Sequence, residues 1–197
     1  MADADATLAR VPFWYLRHGE TDWNARNLSQ GNVDIPLNAN GIAQAHAAAG
    51  LLGGRGIASI VASPLSRARA TAEIVGAALG LPVAIDPGLR EVAFGVQEGQ
   101  PMSDWFADWI AGTATPAGAE SFALLRARAV EAINRATPRP PAVLVVAHGG
   151  FFRALRTAMG LEPTARTRNG VPFWCTPGPA GDPWALSPAE AGASLTM

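Results

Sequence analysis

Residues 12–21, Pro12-Phe13-Trp14-Tyr15-Leu16-Arg17-His18-Gly19-Glu20-Thr21, decide the fold. An apolar and aromatic run stops abruptly at a His-Gly pair, which reads as a buried strand ending in a turn. Two further runs behave the same way: residues 57–62 (IASIVA) end at Ser63-Pro64, and residues 143–147 (VLVVA) end at His148-Gly149-Gly150. The last run is apolar throughout, and all three are continuous apolar runs rather than alternating ones. That pattern suits a parallel sheet covered on both faces. Weaker strands are expected at 82–85, 171–175 and 184–186. Between the strands, apolar residues recur at helical spacing. Ile42, Ala45, Ala49 and Leu52 follow Asn38 or Asn40 as a cap, and Leu65, Ala68, Ala72, Val75 and Leu79 follow Ser63-Pro64 as a cap. Residues 122–136 and 151–159 give two more helices, and 104–110 a short one in a long excursion, placed to cover a site. Strands alternating with helices predict an α/β fold, a three-layer α/β/α sandwich around a mostly parallel central sheet. Residues 1–10 read as a disordered leader and 11–197 as a single domain.

The composition removes several kinds of chemistry. The formal charge is −1, so the surface lacks the basic surplus of a general nucleic-acid binder. The longest strongly apolar run, 142–147, is far short of the roughly 20 residues that cross a bilayer. The first ten residues have neither a basic start nor an apolar stretch, unlike a secretory signal. A cytoplasmic protein without membrane or nucleic-acid partners is expected, as a monomer or homodimer. One cysteine, Cys175, excludes an internal disulfide and a four-thiolate zinc site. All fifteen basic side chains are arginine, so a Walker phosphate loop and a Schiff-base lysine are both excluded.

Two of the three histidines, His18 and His148, directly follow buried strands. In open parallel sheets ligands bind at the carboxyl ends of strands, so both are site candidates. Arg67 lies just past a third strand, in the opening turn of a helix whose backbone N–H groups favour an anion. Glu91 sits in an apolar stretch closed by Gly95. Taken singly, Arg67 reads as a surface residue and Glu91 as a solvated loop acid.

Together these segments resemble the histidine phosphatase superfamily, also called the phosphoglycerate-mutase-like family, on its phosphatase branch. The resemblance runs from Arg17 to Asn169. RHGET is followed by Asn24, Gln30-Gly31 and Asp34-Ile35-Pro36-Leu37. SPLSRARATAE, LREVAFGVQEG, AESF with Arg128 eight residues after Glu120, and VVAHGGFFRAL complete the series. The resemblance implies a phosphoglycerate mutase-like sandwich and a covalent phosphohistidine on His18. It implies a substrate site of Arg17, His18, Asn24, Gln30, Gly31, Arg67, Glu91, His148 and Gly149, with no cofactor and no metal. The implied partner is a small-molecule phosphate ester.

The chemistry fits those residue types. A phosphate dianion needs cations and donors around its equatorial oxygens. Arg17 and Arg67 offer bidentate forks, His148 a third donor and Asn24 a neutral one. His18 must attack as a neutral imidazole, its other nitrogen held by a carbonyl, which in the family is that of the next residue, here Gly19. Two arginines nearby lower its proton affinity. Glu91 would protonate the leaving alkoxide and then take a proton from the attacking water, and is expected to be desolvated by Phe94. Mutases of the family follow the acid with Arg-His-Tyr, where this chain has Val92-Ala93-Phe94, which favours a phosphatase. Two further departures are Leu28 where the family often has Arg, and Gly118-Ala119-Glu120-Ser121 where it has Gly-Gly-Glu-Ser. The competing readings are a phosphoglycerate mutase and a catalytically inert phosphate-binding or interaction module. His46 is expected to be packed or half-exposed, Cys175 buried, and Trp105 and Trp109 packing residues. Arg153 and Arg156 are expected in solvent, Glu98 as a loop brace, and residues 96–120 as the region that sets specificity.

Overall fold

Strand β4 (Val143–Ala147) is buried at every residue because it is central and covered on both faces. A computed structural model describes residues 7–189 and places β4 between β1 (Phe13–Arg17) and β2 (Ser59–Ala62), parallel to both. The six-stranded sheet has the order β3-β2-β4-β1-β5-β6, with β3 at Val83–Ile85, β5 at Pro172–Thr176 and β6 at Ala185–Pro188. Three pairings are parallel, and the two that add β5 and β6 are antiparallel. The six expected strands are therefore all present within a residue or two.

The pleat divides the strands' side chains between two layers. Phe13, Tyr15, Val61, Val143, Val145 and Ala147 face α5 (Phe122–Ala136) and α6 (Gly149–Ala158). Trp14, Leu16, Ile60, Ala62, Leu144 and Val146 face α2 (Ala39–Leu52) and α3 (Ser66–Leu79). Helices on both faces make the three-layer sandwich, and each buried Val, Leu or Phe stabilises it by about 1.5–3 kcal/mol. Short α1 (Asp22–Ala25) and α4 (Trp105–Ala111) complete the helices.

Three local expectations are corrected. Ile42 is not on the buried stripe of α2 but is exposed, because Gly41, Ala45 and Ala48 make the close face instead. Ser63-Pro64 does not cap α3. Its N-cap position is Leu65, which has no side-chain bond, and Asp34 from a distant loop receives both Ser66 N–H and Ser66 O–H at 2.8 Å. The capping carboxylate is thus remote in sequence. Of the leader expected over 1–10, residues 1–6 lie outside the described residues. Residues 7–10 are held: Leu8 is buried, Asn134 bonds Thr7 O and Ala9 N–H, and Arg10 donates to three carbonyls of the 178–182 turn.

Candidate active site

The parallel register delivers the site. Arg17 pairs with Ala147 and Ala62 with Val146, so β1, β2 and β4 end at one edge of the sheet. Backbone bonds continue one step further, from His18 N–H to Ala147 O and from Ser63 N–H to Val146 O, both 3.0 Å. His18, Ser63 and His148 are thereby gathered, and the two imidazole rings lie 5.2 Å apart.

His18 is 2% exposed. Its Nδ1 lies 2.7 Å from Gly19 O, and a carbonyl only accepts, so Nδ1 carries the proton. Burial, reinforced by Arg67 and Arg17, pushes the ring's pKa well below the usual histidine value. The result is a neutral imidazole with its Nε2 lone pair available. Asn169, which the sequence reading did not single out, donates to His18 O at 2.9 Å and holds this turn.

Both expected arginines reach the pocket. Arg67 is 1% exposed, and Nη1 and Nη2 donate to Val33 O and Gly31 O at 2.9 and 2.8 Å. Arg17 Nη1 donates to Thr167 O at 2.7 Å. The Nε of each guanidinium is buried without a protein partner. Burial lowers the pKa of Arg17 to about 10, with the Glu91 charge opposing, and both groups remain cations at neutral pH. Asn24 Oδ1 accepts from Thr21 N–H and Asn169 Nδ2, which fixes its amide at the pocket wall. Gln30 and Gly31 line the same wall, Gln30 receiving the Thr21 hydroxyl at 2.9 Å.

Glu91 enters from the loop after β3, with a setting different from the one expected. The carboxylate is not sheltered by Phe94 alone: Oε1 accepts Phe151 N–H at 2.7 Å and Val92 N–H at 3.0 Å, and Oε2 accepts Gly150 N–H at 2.9 Å. Two of these donors belong to the first turn of α6, so the helix that carries His148 at its N-cap also holds the acid. Only glycine fits at 150, where a Cβ would stand 2.8 Å from Glu91 Oε1. Arg128, paired with Glu120 at 2.6 Å, donates to Gly88 O and Arg90 O and clamps the Glu91 loop from behind. Glu98 does brace a loop, accepting from Asn32 N–H and Phe94 N–H.

His148 is fully buried beside His18 and does not line the open pocket, whereas Gly149 and Gly150 do. Arg153 corrects an expectation. It is not in solvent: it lines the pocket, stacks over Phe106 at 5.1 Å, and donates to Pro163 O and Thr164 O. Arg156 is half-buried, not fully solvated. Arg166, absent from the sequence reading, also lines the pocket. The site thus presents four guanidinium groups and one carboxylate. Leu28, Phe94, Met102 and Phe106 form its apolar wall. Phe94 packs edge-on against Trp105, Phe106 and Trp109, so the aromatic residues of α4 brace that wall, as expected of packing residues. His46 is exposed and Cys175 buried, both away from the pocket. Among the described residues no helix is long and apolar enough to cross a membrane, and no three His, Cys, Asp or Glu side chains gather as a metal site would require.

Known proteins carry the same pattern. The model of the histidine phosphatase superfamily (branch 1) matches residues 13–173. A "Probable phosphoglycerate mutase GpmB" of Yersinia enterocolitica is 39% identical over 166 residues, 78% of this chain and 77% of that protein. The solved structure described as "Mycobacterial hydrolase 1" superposes with a TM-score of 0.80 at 31% identity, over 93% of this chain and 99% of the other. A mycobacterial glucosyl-3-phosphoglycerate phosphatase in complex with VO3 gives 0.77 at 31% identity, over 92% and 100%. With its fold, its strand-end histidines and the ordered segments between them all in agreement, the chain belongs to the histidine phosphatase superfamily.

Proposed function

We propose that the protein is a phosphomonoesterase that hydrolyses a small phosphorylated metabolite through a phosphohistidine on His18. The observation that carries the reading is the state of His18: a buried neutral ring, its proton committed to Gly19 O, its Nε2 lone pair left over, and two guanidinium groups with unpartnered Nε–H alongside. Arg17 and Arg67 bind the dianion and stabilise charge on its equatorial oxygens during transfer. In the first half-reaction the His18 Nε2 lone pair forms a bond to phosphorus. The ester P–O bond breaks, and the leaving oxygen takes a proton from Glu91. Glu91 enters this step as the carboxylic acid and leaves it as the carboxylate. In the second half-reaction Glu91 removes a proton from water as its oxygen bonds to phosphorus. The P–N bond then breaks, returning neutral His18 and releasing phosphate.

Phosphatase is favoured over mutase by the residues after the acid. Val92 and Phe94 are buried in the apolar core, so this segment adds no cation for a substrate retained between two transfers. The opposite reading draws on the relatives named phosphoglycerate mutases. Incubation with 2- and 3-phosphoglycerate separates the two: release of inorganic phosphate supports the phosphatase, and isomer formation without release supports the mutase. Loss of phosphate release in His18→Ala is expected, and retention would make the phosphohistidine route wrong.

The charge of the pocket narrows the substrate. Four guanidinium groups against Glu91 exceed what a phosphate dianion neutralises, in a chain whose overall charge is −1. Arg166 and Arg153 supply the excess, near enough to Arg17 to act on its charge. A phosphate monoester with a second anionic group, such as a carboxylate, balances it, its organic body lying on Leu28, Met102 and Phe106.

A further inference from the structure

We propose that Ser63 is a positioning residue that fixes His148 as the Nδ1–H tautomer, so that His148 presents a donor rather than a lone pair to the transferring phosphoryl group. This rests on the pocket being the phosphoryl site. Ser63 directly follows β2 and His148 directly follows β4, and both are fully buried. Ser63 Oγ lies 2.7 Å from His148 Nε2. A hydroxyl has one proton and two lone pairs. Leu65 N–H already donates to this oxygen at 3.3 Å. Were His148 Nε2 to donate as well, both acceptor positions would be filled and the buried hydroxyl proton would have no described acceptor. With the hydroxyl donating to Nε2, all three groups are satisfied.

The ring's own charge state then sets where its proton lies. Burial, aided by Arg67, His18 and Arg17, holds the His148 pKa well below the usual value, so the ring carries one proton. With Nε2 accepting, that proton is on Nδ1. Nδ1 is buried and has no protein partner, beside a ring that is to carry the phosphoryl group. Phosphate oxygens only accept, so only this tautomer leaves His148 a donor to offer them.

Imidazole 15N–1H multiple-bond correlation tests the assignment without turnover. The chain has three histidines, so His148 is assigned by the signals lost in His148→Gln and those retained in His46→Gln. The expected pattern is pyrrole-type Nδ1 and pyridine-type Nε2, and the reverse in the unmodified protein overturns the proposal whether or not Ser63→Ala folds. Ser63→Ala is expected to reverse or average the pattern and to weaken both kcat/KM and vanadate inhibition about tenfold. Ser63→Thr restores both. An unaltered tautomer in folded Ser63→Ala also overturns it. If the expected tautomer is found while no monoester is hydrolysed, the hydrolase reading fails and the tautomer assignment stands.

Discussion

Glu91→Gln keeps the shape of the side chain and removes its ability to give and take a proton. Its structural cost follows from the three N–H groups around the carboxylate. The amide oxygen keeps Phe151 N–H and Val92 N–H, while the amide NH2 faces Gly150 N–H. One buried donor is left unsatisfied, at about 1–3 kcal/mol. For a chain of this size that lowers Tm by about 3–10 °C and leaves the variant folded at 25 °C. The catalytic effect depends on the leaving group. For an alkyl phosphate, kcat/KM is expected to fall by about a hundredfold to ten-thousandfold, the range for loss of a general acid. For 4-nitrophenyl phosphate, whose leaving group departs as a stable anion, it is expected to fall by less than about tenfold. The comparison must use kcat/KM, which covers steps only up to phosphohistidine formation. Turnover also includes water attack, where Glu91 acts as base for every substrate, so kcat falls for both. Rapid mixing with 4-nitrophenyl phosphate is therefore expected to give a burst of nitrophenol in Glu91→Gln. Equal losses of kcat/KM on the two substrates would refute the acid role.

Three other outcomes follow from the geometry. His18 and His148 both have folded-state pKa values below the unfolded value near 6.5, so the unfolded chain binds protons first on acidification. Stability is then present above that pH and lost below it, by up to about 1.4 kcal/mol per pH unit for each ring, and urea midpoints at pH 7 and pH 5 measure the loss. Replacing both rings by Gln should flatten the profile, and an unchanged slope would contradict the burial argument. Arg166→Gln is expected to lower the kcat/KM ratio of 3-carboxyphenyl to 3-carbamoylphenyl phosphate about three- to fivefold, as suits an exposed charge. Arg166→Lys should retain most of that ratio and 0.5 M salt should erode it, whereas an unchanged ratio in Arg166→Gln removes the second anionic group from the substrate. Gly150→Ala places a methyl 2.8 Å from Glu91 Oε1 and 3.0 Å from Val92 Cγ1. A loss of about 1–3 kcal/mol is expected, with alkyl phosphates suffering more than aryl ones, and an unchanged alkyl-to-aryl ratio would show that Glu91 tolerates displacement.

What could be read from the sequence is what short-range patterns encode. The runs at 13–17, 59–62 and 143–147 are apolar because both sheet faces are covered, so their strands and the residues just past them were legible. His18 and His148 followed from those strand ends, and Arg67 and Glu91 only when the segments are read as one set, since each alone suits a bland role. Contacts that depend on the return path of the chain were not legible. Arg153 falls off the apolar stripe of α6, and off-stripe arginines ordinarily point to water. Here the 163–167 loop folds back over the strand ends, so Arg153 binds its carbonyls and Arg166 is presented to the pocket. Nothing at 163–167 has a period, and only the antiparallel entry of β5 beside β1 sets where that loop runs. Ser63 shows the same limit in a different form. Its neighbours in sequence suggest a helix cap, a local role open to any Ser-Pro pair. The register of β2 against β4 brings its hydroxyl within reach of His148 instead, and the capping task passes to Asp34. A side chain at the end of a parallel strand is therefore assigned by the strand beside it, because pairing fixes its neighbours within a residue while local propensity leaves several roles open.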